Sequence, residues 1–315
     1  MAVTAAQVAA IGIWVDQFAA GMDQLKARID AGLRLFYRGF DGWYVERLVD
    51  EISRQTVDLL EADLDIVGGL AENYAANVLH ELTGDPITIA PTRLPQTRNG
   101  VDLTGVYRRP IEQYRHRVAV GMVPGEAREK SLRRLDRMVS MDLALAGRDA
   151  SVAQYDAKQI TTYRRVVHPE LSRTGTCGLC IVASDQVYTT DDLMPLHPGC
   201  HCTTAPIDGE DDPGNSLNNL ALAQLYADAG SNRAEELRQT RYQINDHGEY
   251  GPLLGFAGDG FKGPDDTKPL EEDPERALRM LKLALPTLER MRREGPADAL
   301  GYQERLVDRL QQITA

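Results

Sequence analysis

All four cysteines of this 315-residue chain, Cys177, Cys180, Cys200 and Cys202, fall in one short stretch that also holds His197 and His201. The spacing reads C-x2-C, then sixteen residues, then H-x2-C-x-C. Two thiolates separated by two residues can face one ion from a single turn, and Gly178 gives that turn its conformational freedom. The Pro198-Gly199 pair folds His197 back towards Cys200. Zinc closes a tetrahedron with four nitrogen or sulfur ligands, and five are offered here. Cys177 and Cys180 form the first pair, and Cys202 with one of His197 or Cys200 completes the set. His201, between two ligands, points away. A closed four-coordinate site leaves no position for a reacting water, so the expected Zn2+ is structural and its contribution is to folding.

The competing uses of four clustered thiols are a disulfide knot, a nucleophile's surroundings and ordinary core packing. The opening "MAVTAAQVAAIGIWVDQF" has no basic n-region, and Asp16 stands where a signal peptide has its cleavage segment. No apolar run long enough to span a bilayer is free of charge. The expectation is a cytosolic product with no membrane association, where thiols stay reduced and clustered cysteines bind metal. A protease would need a nucleophile, a base and an orienting acid. Ser172 and Ser184 are candidate hydroxyls, His168 a candidate base, and Asp185, Asp191 and Asp192 candidate acids, but none lies in a nucleophile motif. His168 before Pro169 reads instead as a loop residue bracing the cysteine module. Cys200 beside His197 is the only thiol a cysteine protease could take from the metal. A zinc-framed nuclease would need a second, open metal position, which this stretch does not supply once its cysteines are used.

The formal net charge of −12 excludes a nucleic-acid coat over the whole surface. The charge is uneven, however: between Arg93 and Arg137 eleven basic residues stand against five acidic ones, a net of +6. Arg108, Arg109, Arg128, Lys130, Arg133, Arg134 and Arg137 are the candidate contacts to packaged double-stranded DNA or to an acidic protein surface. Tyr107 and Tyr114 are interleaved with them, and arginines suit phosphate contacts that position a duplex without reading its sequence.

The elements that must position these groups follow from periodicity. The fold class expected is α+β and mainly α: long N-terminal helices, a small zinc-stapled β-rich module, and C-terminal helices. Ile11, Trp14, Phe18, Met22, Leu25, Ile29, Leu33 and Phe36 recur at helical steps, as do apolar residues from Val45 to Leu82, with a break expected at Gly68-Gly69. Residues 1–92 form a helical region, and 93–158 a basic helical region with helices at about 108–120 and 125–158. The module spans 159–207, where "ITTYRRVV" favours a strand and "CIVASDQVYT" a short hairpin. A helix and strand follow in 208–254, an acidic Gly- and Pro-rich tether in 255–273, and helices in 274–315. Asp273-Pro274 starts the first of these with a capping oxygen and an N1 proline, and Pro286 should kink it.

The run "VVHPELSRTGTCGLCIVASDQVYTTDDLMPLHPGCHC" resembles the module of the MuF-type phage head morphogenesis proteins, in which C-x2-C is followed by a short hairpin and an "LHPxCRC"-like ending. The likeness is specific over about 160–207 and extends through "HGEYGPLL" to about 254. The chain departs from the pattern at His201, where arginine is usual. The resemblance implies a minor capsid protein made in the cytoplasm of an infected bacterium and placed inside the phage head near the portal. It implies the portal protein and other capsid or scaffold proteins as partners. Similar proteins also carry the label of capsid maturation protease, which is the alternative activity.

Overall fold

The computed structural model describes residues 3–92, 97–98, 100–171, 178–192, 198–229, 242–247, 249–256, 258 and 268–315. It is mainly helical, with α1 (Ala5–Arg38), α2 (Glu46–Thr83), α3 (Leu103–Ala119), α4 (Pro124–Ala157), α5 (Gly178–Ser184), α6 (Pro213–Ala229), α7 (Pro274–Glu294) and α8 (Ala297–Thr314). Strands β3 (Thr162–Val166), β4 (Val187–Thr189) and β5 (Thr203–Ile207) form a three-stranded antiparallel sheet in the order β4-β3-β5. Two hairpins are also formed, β1 (Thr97–Arg98) with β2 (Val101–Asp102) and β6 (Tyr242–His247) with β7 (Gly251–Phe256). Among the described residues no helix is long and apolar enough to cross a membrane.

The chain divides into two units, Met1–Asp30 with Glu61–Pro95 and Val139–Phe261, and Ala31–Leu60 with Gln96–Met138 and Lys262–Ala315. In the first, Ile11 and Val15 of α1, Tyr74, Val78 and Leu82 of α2, and Tyr155 of α4 pack with Tyr163, Val166, Cys180, Tyr188, Cys202 and Ala205 of the sheet region. Ile11, Leu25, Ile29 and Leu33 of α1 are buried as expected, but in its first half Val15 and Ala19 continue the buried line while Trp14, Phe18 and Met22 flank it half-buried. Phe18 covers Tyr74 instead, ring on ring at 4.5 Å. Glycines 68 and 69 do not break α2, because long apolar faces on both sides hold the helix through them.

The strand read in "ITTYRRVV" is β3, the centre of the sheet, with Tyr163 opposite Tyr188 and Val166 opposite Thr203. The hairpin read in "CIVASDQVYT" is not formed. Its first half is the helix α5 and only its second half is strand β4. Burial decides this against β-propensity: Ile181, Val182, Ala183 and Ser184 are all buried. The terminal carbonyl of Ser184 is met by Asn218 Nδ2 at 3.1 Å. Asn218, itself 1% exposed, also donates to the Arg165 carbonyl at 2.6 Å and accepts from the Val167 N–H at 3.1 Å. One α6 side chain thus ties α5 to β3. Asn218→Ala should lower stability by about 2–4 kcal/mol, three hydrogen bonds lost with their partners left buried, and urea unfolding measures it. A shift within error would mean the amide is dispensable.

The partner strand β7 was not foreseen, since the glycines and proline of "GPLLGF" argue against a strand. The expected tether at 255–273 falls largely on positions 257 and 259–267, which lie outside the described residues.

In the second unit Trp43 lies against Phe40 and Tyr114, and Gly42 is required there because a Cβ would come within 2.7 Å of Leu48. Helices α7 and α8 form an antiparallel hairpin around Ala277, Ala284, Leu288, Val307 and Leu310. Asp273 caps α7 as expected, its Oδ1 accepting from the Arg276 N–H at 2.9 Å, and the helix continues through Pro286 to Glu294. Gln303 of α8, fully buried, donates to the carbonyls of Ala119 and Ala284 at 3.0 and 2.8 Å.

Candidate metal centre

Three of the five expected ligands are described, and the fold brings their sulfurs together. Cys180 rides on α5, Cys202 immediately precedes β5, and Cys200 follows the Pro198-Gly199 turn. Gly199 has φ +83, a conformation that favours glycine, and its N–H donates to Ser140 Oγ at 2.9 Å. Cys200 Sγ lies 3.9 Å from Cys180 Sγ and 2.9 Å from Cys202 Sγ. Both separations exceed the about 2.0 Å of an S–S bond. The first is close to the edge of a tetrahedron with metal–sulfur bonds of about 2.3 Å, roughly 3.8 Å; the second must widen to match it. Cys177 and His197 lie outside the described residues.

Two arginines that the sequence reading passed over complete the surroundings. Arg148 of α4 donates through Nη2 to the Cys202 carbonyl at 3.0 Å and reaches its sulfur at 3.6 Å. Arg165 of β3 is fully buried, with Nη1 3.6 Å from Cys202 Sγ and its guanidinium over the rings of Tyr188 and Tyr163 at 5.2 and 5.8 Å. The hydrogen bond from Cys200 and then burial hold the Cys202 thiol well above its usual range, while Arg148 and Arg165 pull it down. Tyr74 donates to the Thr204 carbonyl, and Tyr155 bonds the Thr204 hydroxyl at 3.1 Å, fixing the start of β5 on α2 and α4. Burial pushes Tyr155 up to about 12, so its proton stays in place at neutral pH. Cys200 and His201 line a narrow cavity of about 70 Å³, a path by which an ion could reach the sulfurs. His201 faces Asp23, Nδ1 to Oδ1 at 3.4 Å.

Family models, curated proteins and solved structures alike give no match to this chain. The reading therefore rests on the residues themselves.

The candidate protease groups do different work. Ser184 is fully buried in α5, its hydroxyl donating to the Cys180 carbonyl at 2.9 Å. His168 is buried with Nε2 2.9 Å from the Thr203 hydroxyl and Nδ1 2.9 Å from a Glu170 oxygen, which braces the segment after β3 against β5. Asp185 and Asp191 are exposed, and Ser172 lies outside the described residues.

The basic island is largely engaged within the second unit. Arg108 pairs with Glu46, Asp50 and Glu112. Arg128 lies over the Trp43 ring at 5.3 Å and donates to the Phe40 carbonyl, and Lys130 pairs with Glu126. Arg134 reaches the Arg109 carbonyl at 3.4 Å, and both residues are half-buried. The interleaved tyrosines belong to the interior: Tyr107 is fully buried and Tyr114 packs on Trp43. Arg133 and Arg137 stand exposed, one turn apart on α4.

Proposed function

We propose that this chain is a MuF-like minor capsid protein of a tailed phage, a structural part of the head held near the portal, and that its cysteine module is stapled by Zn2+. The observation that carries the metal is the convergence of Cys180, Cys200 and Cys202 beside two buried guanidiniums. Zinc with four thiolates carries a net −2, and with three thiolates and an imidazole −1. The two cations Arg148 and Arg165 match the first, which favours a four-cysteine ligand set over one that uses His197. The head role is supported by the sequence pattern over 160–207. The Ser184 hydroxyl, fully buried and donating to the Cys180 carbonyl, favours assembly over capsid proteolysis.

Within this reading, the exposed Arg133 and Arg137 are the candidate contacts to packaged DNA or to an acidic face of the portal. The double change Arg133→Ala and Arg137→Ala tests it on purified protein and in infected cells. For DNA, the slope of log K against log salt should flatten by about two, with no sequence preference. For the portal, the variant should be missing from procapsids while DNA affinity is unchanged. A variant normal in both assays would mean that the island serves only the fold. The head role itself fails if purified heads lack the chain, or if His168→Ala or Ser184→Ala leaves the folded, incorporated protein unable to support capsid processing.

A further inference from the structure

We propose that Asp16, His168 and Glu170 form a second metal site, open to solvent and free of sulfur, that takes a divalent cation of the Mn2+ type. Asp16 comes from α1, and His168 and Glu170 from the turn that follows β3, so chain distance hid the group from sequence reading. Each residue offers one ligand atom, and the three atoms lie within 4.8 Å of one another. Nδ1 of His168 is 2.9 Å from Glu170 Oε1 and 4.0 Å from Asp16 Oδ1. Ligands bound at about 2.1 Å and at right angles around one ion stand roughly 3 Å apart. The first distance already fits, and a rotation of the exposed Asp16 side chain closes the second.

The ring is positioned as a ligand should be. Its side chain is 2% exposed, while those of Asp16 and Glu170 are 77% and 61% exposed. Its far nitrogen meets the Thr203 hydroxyl at 2.9 Å, the outer-shell contact that fixes the orientation of a metal-binding imidazole. The short 3₁₀ turn Pro169–Leu171, closed by the Leu171 N–H on the His168 carbonyl at 3.2 Å, returns Glu170 to the ring. The group borders a depression of about 460 Å³ lined also by Val15, Val166 and Leu217, so coordination positions opposite the protein stay open to water or to an oxygen anion. Two carboxylates and one imidazole are hard to borderline donors, suited to Mn2+ and distinct in preference from a thiolate centre. Thr203 is buried, which denies its hydroxyl to a substrate and separates this arrangement from a hydroxyl–imidazole–carboxylate nucleophile.

The experiment titrates Mn2+ into the full-length protein, with the zinc content of the same sample measured, and follows free Mn2+ by electron paramagnetic resonance. Thiolate centres discriminate against Mn2+, so the result stands whether or not the cysteines hold zinc. One Mn2+ should bind per chain. Asp16→Asn and Glu170→Gln should each weaken it by about tenfold or more, and the pair together should abolish it. Both side chains are exposed, so the metal-free variants should unfold at the wild-type temperature. No uptake by the wild type at millimolar Mn2+, or wild-type affinity in the double variant, overturns the site and leaves only an imidazole hydrogen-bonded to carboxylates.

Discussion

Replacing Cys202 by serine should remove the metal and the fold of the cysteine module together. The sulfur sits where α5, the 198–200 turn and β5 meet, on a residue 8% exposed, and both buried arginines touch it. A structural zinc ion contributes apparent binding energy on the order of 10 kcal/mol, which is comparable with the whole stability of a typical domain at about 5–15 kcal/mol. Losing one of four thiolates therefore leaves little margin, and it also strands two guanidiniums in the interior. Protein purified without a tag or added metal should contain one zinc per chain, and the Cys202→Ser protein none. Amide exchange should lose protection in β3, β5 and α5 in particular. Cys180→Ser should behave alike, and stripping wild type with a chelator should reproduce both. Wild-type protein that is metal-free and fully folded would end the metal reading.

The helices were legible because apolar residues recur on one face over many turns, and the cap and proline at 273–274 mark a start that needs no tertiary information. The strand β3 was legible from its β-branched residues. Where prediction and structure part, long-range burial outweighs local preference. Ile181 and Val182 favour a strand locally, but the four buried positions from Ile181 to Ser184, closed by Asn218 from a different element, make a helix. The cysteines announced themselves by spacing; Arg148 and Arg165 could not, since only the packing of α4 and β3 brings their guanidiniums to Cys202. The basic island shows the converse. Its net charge was correctly read, yet Glu46 and Asp50, outside the counted window, join Glu112 as carboxylates that Arg108 meets. Charge summed over a window is blind to partners the fold brings in.

Arg165→Met should weaken zinc binding without touching a ligand. A guanidinium buried completely in a β-strand is costly unless a negative charge stands close to it, and breaking such a pairing from one side costs about 3–5 kcal/mol. The phenol rings of Tyr163 and Tyr188 shelter the cation, and burial raises Tyr163 above its ordinary value, so that phenol keeps its proton. Cys202 Sγ lies 3.6 Å from Arg165 Nη1, and on the proposed reading that sulfur is a metal-bound thiolate. Methionine fills similar volume with no charge, so the metal-loaded centre would keep its ligands and lose part of its balance. Competition against a calibrated chelator should show zinc affinity lower by about two orders of magnitude, equivalent to about 3 kcal/mol. Arg165→Lys, which keeps the charge but not the planar stack on Tyr188, should fall between the two. Arg148→Met should show a smaller loss, because Arg148 also serves the Cys202 carbonyl, a contact that does not depend on the metal. Equal zinc affinity in wild type and Arg165→Met would mean that the cations do not balance the centre, and the four-cysteine ligand set would lose its support against the alternative that uses His197.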